Sequence, residues 1–119
     1  MEHTKNIASI GENIAVLYLK NKGYQIIARN KKISYWEIDI VAKKIDKIYL
    51  IEVKTVSQRS LIRAEDQFSK KKQKNIHKAF RAYCQFYCLN EENVNLELLA
   101  ITLDYTNNIA NIKHFLSIL

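Results

Sequence analysis

The chain has 119 residues, 19 Lys and Arg against 12 Asp and Glu, and a formal charge of +7. It is 48% hydrophobic, with 2 Gly, 2 Cys and no Pro. This length and apolar share fit a single domain over residues 1–119 with one core, and exclude a disordered chain. No apolar run approaches the roughly 20 residues that span a bilayer.

The first 15 residues carry Glu2, Lys5 and Glu12 and no continuous apolar stretch, so neither membrane insertion nor an export signal is expected. Residues 6–22 have helical spacing. Asn6, Ser9, Asn13 and Lys20 share one side, and Ile7, Ile10, Ile14, Leu17, Val16 and Leu19 occupy the broad arc that remains. Glu12 breaks this pattern, because Ala8, Ala15, Val16 and Leu19 flank it at helical spacing. A carboxylate there is costly to desolvate unless it is paired. Gly23 supplies a C-terminal stop.

Residues 24–33, 35–42 and 47–56 read as strands, the last two rich in β-branched and aromatic residues and joined by a short link at Ile45–Asp46. A second helix is predicted over 67–89. Its apolar stripe comprises Ile76, Ala79, Phe80, Tyr83 and Phe86/Tyr87, aromatic residues that read as core rather than as a stacking platform. A strand over 96–104, a turn at Thr106–Asn108 and a weaker strand over 109–116 close the chain. The order α-β-β-β-α-β-β predicts an α/β fold, a mixed central β-sheet with a helix on each face.

Cys84 and Cys88 lack the partners that a disulfide framework or a metal site needs. They read as two reduced, partly buried thiols, which fits a cytoplasmic protein. His3, His77 and His114 have no ligand spacing and read as surface residues. Two glycines are too few for a Rossmann or P-loop phosphate site.

The chemistry concentrates in the second and third strands. With a two-residue loop at 45–46, opposed positions sum to 91, so Asp39 faces Glu52 and Glu37 faces Lys54. Side chains two apart share a face. Glu37, Asp39, Glu52 and Lys54 then point one way with Val41, Ile48 and Leu50, and Ile38, Ile40, Ile51 and Val53 point the other. Opposed carboxylates repel unless something compensates. A hard cation does so, and Mg²⁺ (or Mn²⁺) is commonly held by one or two carboxylates plus water and phosphate. The Val53 carbonyl offers a third ligand. Lys54 can orient or deprotonate an attacking water, or stabilise charge developing on phosphorus. These are the parts for metal-assisted phosphodiester hydrolysis, and Glu12 aims at the same metal or at a water on it.

These residues carry a resemblance. Gly11-Glu12-Asn13-Ile14-Ala15, Tyr18-Leu19, Gly23-Tyr24, Arg29-Asn30, Glu37-Ile38-Asp39-Ile40-Val41, Ile51-Glu52-Val53-Lys54, Lys72 with the Ala79 helix, and Ile112-Lys113-His114 together resemble the YraN-like family of small bacterial proteins. The likeness covers nearly the whole chain. Its ordered set Glu12, Glu37-Ile38-Asp39, Glu52-Val53-Lys54 is similar to the D…E-x-K signature of the restriction-endonuclease-like (PD-(D/E)XK) nuclease superfamily, with archaeal Holliday-junction resolvases as the nearest well-understood relatives. The resemblance implies a restriction-endonuclease-like core, Asp39 and Glu52 as metal ligands, Lys54 as catalytic lysine and Glu12 as an accessory carboxylate. Two departures stand out: Trp36 replaces the family's usual Gly, and Asn95-Leu96-Glu97 stands near the usual Arg-x-Asp.

Lys70, Lys71, Lys72 and Lys74 offer a phosphate-contact surface at the start of the second helix. Gln73 lies among them as an accessory residue, like Glu37. The leading expectation is a Mg²⁺-dependent nuclease acting on DNA, branched or structured DNA included. Two other readings stay open. One is a nucleic-acid-binding module of the same fold without turnover. The other is a dimeric assembly module that pairs through a sheet edge or the aromatic helix, and a homodimer is also compatible with the nuclease reading.

Overall fold

The β-branched runs form five strands of one sheet, and the two amphipathic stretches form helices that cover its two faces. The computed structural model describes residues 2–118, with side chains from residue 6 onward. In chain order the elements are α1 (Glu2–Asn21), β1 (Gln25–Ile33), β2 (Trp36–Lys44), β3 (Lys47–Ser57), a short 3-10 turn (Ala64–Gln67), α2 (Lys70–Phe86), a second 3-10 turn (Glu91–Asn93), β4 (Val94–Asp104) and β5 (Ile109–Phe115). The expected α-β-β-β-α-β-β order and mixed sheet are therefore present. Strands are arranged β1-β2-β3-β4-β5. β3 and β4 pair in parallel from Ile48↔Val94 to Ser57↔Leu103, and the other neighbours pair antiparallel. The parallel pair needs a long crossover, which α2 supplies.

Helix ends follow local chemistry. At the end of α1, Gly23 takes φ +91°. Its N–H reaches Lys20 O (3.0 Å), and Tyr24 N–H reaches Leu19 O (2.9 Å). This is the double capping bond that a left-handed residue allows. α2 starts later than its periodicity predicts because Ser69 Oγ accepts from Lys72 N–H at 3.2 Å and caps it. It stops at Phe86, since Cys88 turns left-handed (φ +54°) and Leu89 N–H bonds to Cys84 O at 2.8 Å. Two expectations are corrected there. Cys84 is buried but Cys88 is exposed. Tyr83 is core, whereas Phe86 and Tyr87 are exposed beyond the packed stripe.

α2 lays Ile76, Ala79, Phe80 and Tyr83 against Val41, Leu50, Leu96 and Leu98. On the opposite face, α1 lays Ala15, Val16 and Leu19 against Ile40, Ile51, Leu99 and Ile101. Ile38 does not follow Ile40 as strict alternation predicts: it packs on the α2 side and Ile40 on the α1 side. The alternation breaks between the pairs Arg29↔Ile40 and Lys31↔Ile38, where Asn30 takes φ +51°.

The α1 face also holds a polar chain. Glu97 is 2% exposed. Its Oε1 accepts from Tyr24 OH at 3.2 Å and lies 2.7 Å from His114 Nε2, and His114 Nδ1 lies 3.0 Å from Tyr18 OH. Burial, then the Glu97 carboxylate, push both tyrosine hydroxyls above their ordinary value. His114 is thus an interior residue and not the surface one expected. His77 is half-buried on α2, and the side chain of His3 lies outside the described residues. Among the described residues, no helix is long and apolar enough to cross a membrane.

Gly11 is the contact point between α1 and β3. A Cβ on it would clash with Thr55 Oγ1 and come 2.7 Å from Thr55 Cβ and Cγ2. Overpacking of this kind costs about 1–3 kcal/mol. Gly11→Ala is expected to lower the thermal midpoint by several degrees, and Thr55→Gly in the same chain to recover part of the loss. Thermal denaturation of the parent, the single variant and the double variant checks this.

Candidate active site

The hairpin register is the expected one. Ile40↔Ile51, Val41↔Leu50 and Lys44↔Lys47 all sum to 91, with Ile45–Asp46 as the loop. The ladder then stops at Ile40↔Ile51. Beyond it β2 stays with β1 as far as Trp36, and β3 stays with β4 as far as Ser57. The two central strands part, and Asp39 stands at the fork. Its Oδ2 accepts from Val53 N–H at 2.8 Å, so the side chain takes over a backbone donor that the ladder has released.

The direct pairs Asp39↔Glu52 and Glu37↔Lys54 therefore do not form as ladder pairs. Asp39 and Glu52 still come together. Glu52 is pushed up to about 8, first by burial, then by the charge of Asp39 and by direct contact with its carboxylate; Lys54 works against this. Lys54 Nζ lies 3.5 Å from Glu52 Oε2, with side chains 17% and 14% exposed. Glu52 Oε1 is buried with no hydrogen-bond partner among the described residues. A buried carboxylate oxygen left bare is costly, and a proton or a cation relieves it. Lys72 sits beside this group. The Lys54 charge, then burial, lower its ammonium below the ordinary lysine value, while Glu52 raises it.

The four charged residues do not share one face, as strict alternation predicts. Asp39, Val53 and Lys54 line a cavity of about 470 Å³ together with Glu12, Thr55 and Ser57. Glu37, Glu52, Lys54 and Lys72 line a second hollow of about 270 Å³ on the α2 side. Lys54 borders both.

Glu12 reaches the first cavity, and its pairing comes from β1. Its Oε1 accepts from Arg29 Nε at 3.2 Å and from Asn30 Nδ2 at 3.1 Å, and Arg29 Nη2 also donates to Asn13 Oδ1 at 2.8 Å. The left-handed Asn30 thus bonds the acid of α1 next to Asp39's break in β2. Periodicity gives no sign of this partnership; the dipeptide Arg29-Asn30 enters the sequence reading only through the family resemblance.

The lysine cluster divides. All four lysines are exposed, but Lys72 borders the carboxylates whereas Lys70, Lys71 and Lys74 line neither hollow. Gln73 turns to the start of its own helix, where Nε2 donates to Phe68 O at 3.0 Å. Asn75, unremarkable in sequence, lines the α2-side hollow one turn beyond Lys72. Among the described residues, no group of three or more His, Cys, Asp or Glu is placed to hold a metal ion.

Comparison with known proteins assigns the lineage. The description Uncharacterised protein family UPF0102 matches residues 11–104. The chain belongs to this family. A UPF0102 protein of Alkaliphilus oremlandii is 36% identical over 110 residues, covering 92% of this chain and 94% of its own. One of Fervidobacterium nodosum is 38% identical over 106 residues, covering 89% and 76%. One of Dictyoglomus turgidum is 29% identical over 109 residues, covering 92% of each. The match from Gly11 to Asp104 takes in Glu12, Asp39, Glu52, Val53, Lys54 and Lys72. Family membership and the mixed sheet together support a link to the restriction-endonuclease-like superfamily.

The raised Glu52 carboxyl has a consequence for stability. An acid whose folded value lies above its unfolded 4.5 contributes stability that is fully present below 4.5 and is lost as pH climbs through about 8. In chelator, the thermal midpoint is expected to fall between about pH 5 and pH 9. Glu52→Gln should flatten that slope, as calorimetry across the range can show.

Proposed function

We propose that this protein is a Mg²⁺- or Mn²⁺-dependent nuclease that hydrolyses phosphodiester bonds in DNA. One observation carries the reading: the carboxylates of Asp39 and Glu52 meet where β2 and β3 part, beside Lys54, and leave a buried Glu52 oxygen bare. Two carboxylates, with water and phosphate completing the shell, are the donor set that Mg²⁺ favours. Asp39, Glu52 and the Val53 carbonyl are the groups that would hold it. A divalent ion bound there supplies charge stabilisation and a more acidic water.

The chain's own residues do the rest. Lys54 holds an ammonium at the border of both hollows, next to the carboxylates, where negative charge on a cleaving phosphodiester needs a partner. Lys72 adds a second cation on the α2 side. Glu12, fixed by Arg29 and Asn30, presents a carboxylate on the far wall of the first cavity, within reach of solvent. The surplus of +7 favours a polyanion as substrate.

A second reading has its own support. With Glu12 engaged by Arg29 and no group of three metal-ligating side chains among the described residues, the same surface suits a DNA-binding module without turnover.

The purified protein is expected to cut branched, nicked or single-stranded DNA when Mg²⁺ or Mn²⁺ is added. Lys54→Ala and Glu52→Gln should each slow cutting by about 10²–10³-fold. Cutting that survives both substitutions overturns the proposal; salt-sensitive binding without any cutting favours the second reading.

A separate readout is the melting temperature. A ligand that binds only the folded state raises it by mass action. Mn²⁺ is expected to raise the midpoint of the parent and not that of Asp39→Asn, and an equal rise in both counts against a site at Asp39.

A further inference from the structure

We propose that the surface from Trp36 to Phe86 binds single-stranded DNA by stacking unpaired bases on exposed aromatic rings. The inference rests on the DNA reading above and names its substrate class.

Two hollows meet at Trp36. The α2-side hollow of the candidate site is lined by Tyr35 and Trp36 together with Glu52, Lys54, Lys72 and Asn75. A larger one of about 480 Å³ continues from it between β1 and α2, lined by Lys31, Lys32, Trp36, Ala82, Gln85 and Phe86. Asn75, Lys78, Ala82 and Gln85 follow at i, i+3, i+7 and i+10, so one stripe of α2 runs beside both. From Asn75 to Gln85 that stripe is ~15 Å long.

Tyr35 and Phe86 stand out of the core, and Trp36 is half-buried against its α2 side while lining both hollows. Tyr35 is 94% exposed at the tip of the β1–β2 hairpin, and Phe86 is 72% exposed at the end of α2. The Tyr35 and Trp36 rings stand edge to face, 6.3 Å apart, and Phe86 does the same with Tyr87 at 4.9 Å. Lys31 Nζ lies 5.7 Å from the Tyr87 ring centre.

Charge identifies the occupant. The sequence of α2 holds Lys70, Lys71, Lys72, Lys74, Lys78 and Arg81 and no acid. Lys31 and Lys32 line the opposite wall, and the acids beside the path, Glu37 and Glu52, stand at its candidate-site end. A second copy of this chain placed symmetrically on the groove would bring these cations against their own images. A polynucleotide backbone is complementary to them. Between a duplex and a single strand the rings decide. A duplex keeps its base faces stacked inside, whereas a single strand offers them, and aromatic platforms flanked by cations are how such strands are held.

Trp36 is the only tryptophan in the chain, so its emission reports stacking directly. The probes are a short oligothymidylate, an abasic phosphodiester of the same length and a duplex, each titrated in chelator at low salt. The oligothymidylate is expected to quench Trp36 and to bind ~10-fold or more tightly than the abasic strand, as the loss of base stacking predicts. Tyr35→Ala with Phe86→Ala should remove most of that preference and leave abasic binding unchanged. Both side chains are exposed, and circular dichroism confirms that the variant folds. Equal affinity for the oligothymidylate and abasic strands, preference for the duplex, or no binding overturns the proposal. Because metal is absent, the outcome is separate from turnover. A protein that prefers oligothymidylate yet cuts nothing leaves the stacking site standing and removes the nuclease reading, and one that cuts DNA without the preference does the reverse.

Discussion

The hydrogen bond from Val53 N–H to Asp39 holds the candidate site together. Where two strands of a sheet separate, each loses a partner for its backbone, and an unpaired buried donor is costly. Here one released donor is taken by a carboxylate at 2.8 Å. That bond fixes the Asp39 side chain at the fork. It also commits Asp39 to a place beside Glu52, because Val53 and Glu52 are neighbours on β3. The repulsion between the two acids is thus a consequence of how the fork is satisfied. Glu52 bears the cost as an elevated carboxyl and a bare oxygen.

Two helices keep the fork open from opposite sides. On the α1 side, Gly11 permits backbone approach to Thr55, which sets Glu12 against the cavity wall. On the α2 side, the Ser69 cap sets the helix register, and that register brings Lys72 and Asn75 to the second hollow. Lys54 touches both spaces because β3 passes between the helices and its side chain lies at the border. The site is therefore a product of the whole sheet and both layers, although its acids come from one hairpin.

The hairpin register was legible because the period of two and the short link at Ile45–Asp46 leave one pairing that buries Val41, Leu50 and Ile51. The place where it ends was not legible. Nothing in the pattern of Glu37 to Ile40 marks the break in alternation, since Ile38 and Ile40 are both apolar and both become buried, on opposite faces. Strict alternation carried past the break produces the mistaken single charged face. The periodicity that predicts a helix over 67–89 overextends it for a similar reason. Periodicity runs smoothly through Phe86 and Tyr87, whereas the stop depends on a left-handed Cys88, a residue type with no special preference for that conformation. His114 illustrates a third limit. Its partners Tyr18 and Glu97, and the Tyr24 that also bonds Glu97, are distant from it in sequence and meet only when β5 docks on β4 and α1 crosses them.

The correction at the end of α2 changes what the aromatic residues mean. As core, Phe86 and Tyr87 would account for themselves by burial. Phe86 instead leaves most of its ring in water at the end of a helix rich in lysine and free of acids, with Tyr87 packed between it and Tyr83. Tyr35 and Trp36, at a hairpin tip, line the hollow that also holds Glu37 and Glu52, and Trp36 lines the next hollow with Phe86. A backbone bound along α2 would run from the exposed rings toward Lys72 and Lys54, so the cations that neutralise its phosphates and those that border the acids form one series. Positioning and chemistry would then draw on the same electrostatic gradient. Cations outnumber acids along this path, and the acids that do occur on it gather where a phosphodiester would meet them.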